Sequence, residues 1–226
     1  MKLLVIEHII LQKKSISEMF DSLIVKDLGK KYNNQFVFKD ISLHAKNSDC
    51  IAVTGFNGSG KSTFLKILAN VTEKSCGKIN WVANNTEIIE DKLTRYIGFV
   101  SPYLNLYSEF TSIELIEIIQ NFRGIKFDKE FAEFYLEKFN LVNRKNDLIG
   151  NFSSGMLQRV KFIIALIHNP IFLFLDEPNT NLDEIGIETY KDIIIKDSQN
   201  RITFIATNDK NDLVICNKIV SINDYK

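Results

Sequence analysis

Residues 55–62 read GFNGSGKS, a glycine-rich segment that matches the phosphate-binding pattern GxxxxGK[ST]. Glycines let the backbone turn tightly, so that successive amide hydrogens converge on phosphate oxygens. Lys61 supplies a positive charge for the phosphates, and Ser62 supplies a hydroxyl for Mg²⁺. A helical pattern follows this phosphate loop, so the positive end of a helix dipole adds to the attraction for anions.

A second element that could take part in a reaction is the run IFLFLDE at residues 171–177, an apolar strand that ends in two carboxylates. Asp176 is predicted to hold Mg²⁺, directly or through water, because this cation prefers oxygen ligands. Glu177 is predicted to orient and polarise an attacking water as a general base. Acidic residues often end buried strands, but beside a phosphate loop the pattern indicates phosphoryl transfer.

Between these two elements, residues 151–159 read NFSSGMLQR. In isolation, Ser-Ser-Gly is an ordinary helix cap. In this position the segment resembles the LSGGQ signature of the ABC ATPase family, with Ser153 and Gly155 keeping the hydroxyl and the backbone donor. We call residues 151–159 the signature segment.

Two further positions resemble the same family. Residues 179–183, NTNLD, resemble its D-loop, with Asp183 as the acidic end. Tyr32 stands where such proteins stack an aromatic ring on adenine, although by itself it is typical of a surface turn. The resemblance covers about residues 22–222.

The resemblance implies a subunit that binds and hydrolyses ATP, with ATP and Mg²⁺ as cofactors, to power a membrane permease. In this family two subunits face each other head to tail, and the signature of one closes over the ATP held by the other. The expected partners are therefore a transmembrane permease and a second ATP-binding subunit in a homodimer. The expected location is cytoplasmic, peripheral on the inner face of the cell membrane.

The predicted site residues fall into three groups. The predicted nucleotide-binding residues are Tyr32, Gly55, Asn57, Gly58, Ser59, Gly60, Lys61, Ser62, Thr63, Ser153 and Gly155. The predicted metal ligands are Ser62 and Asp176, and the predicted catalytic residues are Glu177 and Asn208.

Two positions depart from the family pattern. Pro102 aligns with a glutamine that normally ends a strand, although a shift of one residue would place Ser101 there instead. Asn208 stands where the family has a switch histidine, and its amide can donate to a γ-phosphate but does not titrate. We predict that Asn208 lies at the γ-phosphate near Glu177; the alternative is that it caps the helix that follows.

The remaining pattern predicts an α/β fold with a P-loop NTPase core, a mainly parallel sheet, an antiparallel β subdomain and a helical signature lobe. The opening runs SLIVKDL, FVFKDISLHA and CIAVTG predict an antiparallel sheet. Further strands are predicted at GKINWV, TEIIE, RYIGFV, IFLFLD and ITFIAT. We divide the chain into an N-terminal extension, residues 1–21, and an ABC ATPase domain, residues 22–226, with the helical lobe at about 103–158.

Helix starts are predicted from capping residues. Thr111 and Glu114 form a capping box ahead of an apolar run, and Asp128 precedes a second helix. A third helix is predicted from Ser153 to about His168, and a fourth around residues 187–195.

The charge, the cysteines and the lengths of the apolar runs limit the classes of function that the chain can have. Lys+Arg and Asp+Glu both number 28, so the net charge is zero and no overall basic field attracts nucleic acid, which is not an expected partner. The three cysteines, Cys50, Cys76 and Cys216, form no CxxC pair and are expected to be free thiols in a reducing compartment. No stretch reaches transmembrane length, so any membrane-spanning part of a transporter must be another chain.

Two alternatives stay open at this stage. One is a soluble ABC ATPase that acts on ribosomes or DNA, although the chain has a single cassette and no zinc module or long coiled coil. The other is a nucleotide-binding regulator with little turnover, which Pro102 and Asn208 favour and Glu177 disfavours. The segment IGFVSPYLNLYSEFTSIEL most resembles the corresponding sequence of exporter-type subunits.

Overall fold

The computed structural model describes residues 21–226, except for the side chains of residues 197 and 198. The predicted N-terminal extension therefore lies outside the described residues apart from Asp21. Asp21 is buried, and its carboxylate accepts a 2.8 Å hydrogen bond from the backbone amide of Asn84. This last residue of the extension is thus packed against the fold.

The described part of the chain contains two sheets and six α-helices. The strands are β1 Ser22–Tyr32, β2 Gln35–Lys46, β3 Cys50–Thr54, β4 Cys76–Ala83, β5 Thr86–Glu87, β6 Ile97–Val100, β7 Phe172–Asp176, β8 Ile202–Ala206 and β9 Lys218–Ser221. The helices are α1 Lys61–Leu68, α2 Ser112–Phe122, α3 Lys129–Lys138, α4 Ser154–Leu166, α5 Glu184–Asp197 and α6 Lys210–Leu213.

The smaller sheet is antiparallel, with the strand order β2-β1-β4-β5. The first two opening runs form β1 and β2, as predicted. The third run, CIAVTG, was wrongly grouped with them, because β3 lies in the parallel sheet between β8 and β9. The predicted strand TEIIE is also shorter than expected: only Thr86 and Glu87 pair with β4, and a 3₁₀ turn begins at Glu90.

The larger sheet is parallel, with the strand order β6-β7-β8-β3-β9. Its central strands β7, β8 and β3 are mostly apolar because both faces of the sheet are covered. In β7, Phe172 and Phe174 face the core beneath the antiparallel sheet, while Leu173 and Leu175 face the core formed with the helices. The sheet therefore separates two hydrophobic cores and carries the acidic residues to its carboxyl edge.

The capping residues begin the helices as the sequence predicts. Thr111 and Glu114 form a complete capping box at α2. Asp128 caps α3 by accepting a 3.0 Å hydrogen bond from the amide of Phe131. Ser153 caps α4, which places the signature segment at the amino end of this helix. Among the described residues, no helix is both long enough and apolar enough to span a bilayer.

The three cysteines are free thiols, in agreement with the sequence expectation. Cys50 and Cys216 lie next to each other, with their sulfur atoms 3.2 Å apart. Cys50 is buried at the start of β3, while Cys76 is exposed at the start of β4.

Candidate nucleotide-binding site

The phosphate loop connects β3 to α1. The ammonium group of Lys61 donates hydrogen bonds of 2.9 Å to the carbonyl of Gly55 and 3.2 Å to that of Phe56. This holds the charge of a buried side chain over the loop backbone. Gly60 has φ of 107°, and a Cβ there would lie 2.6 Å from Val37, so glycine is required where the loop meets the helix.

The remaining loop residues take positions consistent with a phosphate cradle. Asn57 and Gly58 are exposed at the tip of the loop, and Gly58 has a left-handed φ of 76°. Ser59 is buried beneath them, and its hydroxyl has no hydrogen-bond partner within the described residues. Thr63 is half-buried in the first turn of α1.

Ser62 and Asp176 join the phosphate loop to the acidic strand end. Ser62 Oγ donates a 2.8 Å hydrogen bond to Asp176 Oδ1. The two predicted metal ligands therefore lie side by side, and both carry the oxygen atoms that a hard divalent cation prefers. Asp176 is only 1% exposed, and this burial raises the pKa of its carboxyl group while the bond from Ser62 opposes the rise.

Of the two candidates for the position where the family has a glutamine, Ser101 is the one whose side chain contacts Asp176. Its hydroxyl donates a 3.3 Å hydrogen bond to the other oxygen of Asp176, Oδ2. Pro102, the first choice in the sequence alignment, contributes only its backbone carbonyl to a described contact, with Lys161. Strand register explains this contact. Val100 of β6 pairs with Leu175 of β7, so the residues that follow them, Ser101 and Asp176, lie side by side.

Glu177 follows Asp176 directly and has an unusual backbone conformation. Its φ of 46° lies in the left-handed region, which is unfavourable for a non-glycine residue. Its amide donates a 2.9 Å hydrogen bond to the carbonyl of Ala206, so the end of β8 holds this conformation. The side chain is exposed and lines a cavity with Asn57 and Asn208. Strained residues of this kind concentrate at functional sites.

Asn208 lies against the phosphate loop, near Glu177 as predicted. Its Oδ1 accepts a 3.4 Å hydrogen bond from the amide of Gly55, and its Nδ2 donates a 3.5 Å bond to Asn57. The alternative role as a helix cap is excluded, because Asp209 is the residue that caps α6, accepting a 2.8 Å bond from the amide of Asn211.

A buried carboxylate that the sequence analysis missed holds the D-loop in place. Asp212 is fully buried and accepts hydrogen bonds from Asn179 Nδ2, at 3.0 Å, and from Thr207 Oγ1, at 2.8 Å. Tyr190 also donates its hydroxyl to this carboxylate, and burial raises the pKa of Tyr190, which keeps the hydroxyl protonated. These contacts fix the D-loop relative to the end of β8.

The signature segment is partly exposed, with Ser153 and Ser154 at the surface and Gln158 and Arg159 buried, and it does not line the two cavities beside the phosphate loop. Ser153 faces solvent at the start of α4, where its hydroxyl accepts a 3.3 Å hydrogen bond from the amide of Met156. The two cavities at the phosphate loop are lined by residues 55–57, 177, 179, 180, 207–209, 212 and 223. Neither Ser153 nor Gly155 lines either of these two cavities.

The signature segment is instead tied to the D-loop of its own chain. Gly155 packs so closely that an added Cβ would lie 2.8 Å from the carbonyl of Asn181. Gln158 donates a 3.3 Å hydrogen bond to the carbonyl of Pro178, and Nη2 of Arg159 forms an ion pair with both carboxylate oxygens of Asp183. The hydrogen bond from the amide of Gly186 and, as the next largest effect, the contact with Arg159 lower the pKa of Asp183. Signature and D-loop thus form one connected surface.

Tyr32 is half exposed at the end of β1. The ammonium of Lys30 lies 4.8 Å from the centre of its ring. The β1–β2 hairpin that carries Tyr32 also carries Val37, which packs against Gly60 of the phosphate loop. The ring is thus on the hairpin that borders the loop, and its stacking role stays a prediction.

The comparisons with known proteins agree with this geometry. The family model described as "ABC transporter" matches residues 38–180. The lipoprotein-releasing system ATP-binding protein LolD of Leptospira interrogans is 33% identical over 178 residues, covering 76% of this chain and 75% of that protein. The bacitracin transport ATP-binding protein BcrA of Bacillus licheniformis is 32% identical, over 76% of this chain and 57% of its own length.

Solved structures show the same fold. An ABC transporter ATP-binding protein from Pyrococcus furiosus superposes with a TM-score of 0.77 at 22% identity, over 91% of this chain and 99% of that one. A dimeric ATP-binding cassette in a post-hydrolysis state, bound to ADP and Pi, gives a TM-score of 0.78 at 24% identity, over 88% of this chain and 93% of that one.

Proposed function

This chain belongs to the ABC transporter family, and from that premise we propose that it is the subunit that binds and hydrolyses ATP to power a membrane permease. The observation that carries the proposal is the 2.8 Å hydrogen bond from Ser62 to Asp176. It joins a phosphate loop to a buried carboxylate, and this combination serves nucleoside triphosphate hydrolysis in P-loop proteins.

The residues around this bond fit a magnesium ion. Ser62 and Asp176 offer a hydroxyl and a carboxylate, the hard oxygen ligands that Mg²⁺ prefers. Asp176 is buried without an ion pair among the described residues, and a bound cation would offset the cost of burying its charge. Bound Mg²⁺ would neutralise charge on the β- and γ-phosphates.

We assign the chemical roles to side chains of this chain. Lys61 binds the phosphates, since its ammonium group lies over the loop that surrounds them. Glu177 orients a water molecule and accepts its proton, because its exposed carboxylate stands at the cavity next to the loop. Asn208 donates a hydrogen bond from its amide to the γ-phosphate and does not take part in proton transfer.

The exposed start of the signature segment, at Ser153, supports a composite site made by two copies of the chain. Ser153 and Gly155 would contact the nucleotide held by the other copy, since neither residue lines the cavities beside the phosphate loop of its own chain. The contacts of Gln158 and Arg159 with the D-loop then connect the signature of one chain to the region that follows its own Glu177.

The relatives of this chain indicate that its ATP hydrolysis powers transport. The relatives named above are ATP-binding proteins of lipoprotein-release and bacitracin-transport systems. We propose a permease partner for this chain as well, at the inner face of the cell membrane. A soluble ATPase that acts on ribosomes or DNA is not favoured, because these relatives are named for transport.

Phosphate release by the purified full chain tests the proposal. We expect ATP hydrolysis in MgCl₂ and none in excess EDTA, and a Ser62→Ala variant should require a higher Mg²⁺ concentration. Lys196→Ala is a suitable control, since Lys196 lies on the exposed face of α5 and pairs with Asp192. A chain that neither binds nor hydrolyses any nucleoside triphosphate in Mg²⁺ would refute the proposed function.

A further inference from the structure

Lys161 is a buried cation with an uncommon set of partners. It lies in the middle of α4, is 7% exposed, and makes no ion pair with a described carboxylate. Its ammonium group donates hydrogen bonds of 3.3 Å to the carbonyl of Ser101 and 2.9 Å to that of Pro102. Burying a lysine without a counter-charge costs free energy. The contacts that offset this cost all go to one short segment, residues 101–102.

The other side of this segment contacts the proposed metal site. Ser101 is buried, and its hydroxyl donates to Asp176 Oδ2 at 3.3 Å, while Ser62 donates to Asp176 Oδ1. Each oxygen of the carboxylate thus has one hydroxyl donor. Because a carboxylate with both oxygens held cannot rotate freely, Ser101 contributes to the orientation of the ligand that faces the metal.

We propose that Lys161 is a positioning residue for the metal-binding carboxylate, acting through the backbone of Ser101. Lys161 holds the Ser101 carbonyl, and Ser101 in turn holds Asp176. This inference rests on the proposed function, because it takes Asp176 to be a Mg²⁺ ligand.

The position of Lys161 also links the metal site to the signature. Ser153 and Lys161 are eight residues apart on the same helix, a distance of about 12 Å along its axis. A displacement of α4 when a second copy contacts Ser153 would therefore reach Asp176 through Lys161 and Ser101. The same helix would position the signature and the metal ligand together.

The experiment is a Mg²⁺ titration of nucleotide binding, using a fluorescent ATP analogue, together with a titration of the ATPase rate. For Lys161→Met, which keeps the chain length and removes all three donors, we expect both half-saturation points to rise about 10-fold, as for loss of an outer-shell partner. Binding of the analogue in EDTA should change less than twofold. Lys161→Arg, which retains donors, should restore most of the Mg²⁺ response.

A double mutant separates positioning from a general loss of stability. Ser101→Ala should shift the Mg²⁺ response as Lys161→Met does, and the double variant should be no worse than either single variant, because both changes break the same chain of contacts. Lys145→Met is the matched control, since Lys145 is a partly buried lysine of the helical lobe that pairs with Glu133 at 2.7 Å. It should leave the Mg²⁺ response unchanged.

The outcomes distinguish this inference from the proposed function. If the wild-type chain shows no Mg²⁺-dependent nucleotide binding, the proposed function fails. If the wild type responds to Mg²⁺ and folded Lys161→Met responds identically, or if the Ser101→Ala and Lys161→Met shifts multiply in the double variant, the positioning role is overturned while the proposed function stands. Should Lys161→Met not fold, Lys161→Gln, which retains one donor group, must show a smaller shift in the same direction; a wild-type response would overturn the role.

Discussion

The hydroxyl of Ser62 donates a 2.8 Å hydrogen bond to Asp176 although 114 residues separate them in the chain. The parallel sheet explains the contact. Ser62 follows β3 and Asp176 ends β7, and only β8 lies between these strands, so their carboxyl ends meet at one edge. Loops at this edge form the ligand sites of open α/β sheets. The predictions below test the residues gathered there.

Lys61→Ala should weaken MgATP binding by about 100-fold or more. The substitution removes charge-assisted hydrogen bonds worth roughly 1.5–3 kcal/mol each, and every 1.4 kcal/mol is tenfold in affinity. Isothermal titration of the folded variant measures the effect. Lys196→Ala should bind as the wild type does, and an unchanged affinity in Lys61→Ala would remove the residue from the site.

Asn208 should act on turnover. Because its amide contacts Gly55 and Asn57 of the phosphate loop, Asn208→Ala should lower the ATPase rate, and Asn208→His should raise it or leave it unchanged. The wild-type pH–rate profile should show no histidine-like step from this position.

The matched control for Asn208 is the neighbouring cap residue. Asp209→Ala should lower the free energy of unfolding by about 1 kcal/mol, because it removes the cap of α6. If Asn208→Ala hydrolyses ATP at the wild-type rate, the role of Asn208 at the γ-phosphate is wrong.

His168 should make the protein less stable at acidic pH. Burial, and then the charge of Arg123, lower the pKa of His168 to about 3, against an ordinary value of 6.5. In the neutral form its Nε2 donates to the carbonyl of Ile97, at 3.0 Å, and its Nδ1 accepts from the guanidinium of Arg123. Between these pH values the unfolded chain binds the proton and the native chain does not. The free energy of unfolding should therefore fall as the pH drops below about 6.5, by up to about 1.4 kcal/mol per pH unit.

Urea unfolding at pH 7.5 and at pH 5 measures this dependence. His168→Gln, which cannot take up a proton, should lose less stability between the two pH values than the wild type does. Equal losses in both proteins would show that another group causes the acid sensitivity.

Local signals in the sequence predicted much of the fold. Thr111, Asp128 and Ser153 begin helices because a side-chain oxygen next to an apolar run satisfies amides within one turn. The phosphate loop is equally local, since its glycines and Lys61 act within eight residues. Such local signals do not determine which sheet a strand joins. For this reason the prediction that the run CIAVTG belongs to the antiparallel sheet is wrong, since β3 lies in the parallel sheet.

The parts of the site that the sequence left undecided or did not reveal depend on contacts across the fold. Ser101 meets Asp176 only because β6 pairs with β7 in one particular register. Asp212 collects donors from α5, the D-loop and the end of β8, and no pattern in the sequence relates these residues. Lys161 in turn contacts a segment 59 residues away. Tertiary packing, which sequence periodicity does not encode, sets all three.

The Glu177→Gln variant tests the central claim most directly, because it separates ATP binding from hydrolysis. Light scattering after gel filtration, with and without MgATP, gives the oligomeric state, and phosphate release gives the rate. We predict retained ATP binding, a rate lower by about 10²–10⁴, and a stable dimer that forms only with ATP. Glu188→Gln, on the exposed face of α5, should hydrolyse ATP like the wild type and accumulate no such dimer. Wild-type turnover by Glu177→Gln, or a dimer that ignores nucleotide, would contradict the account.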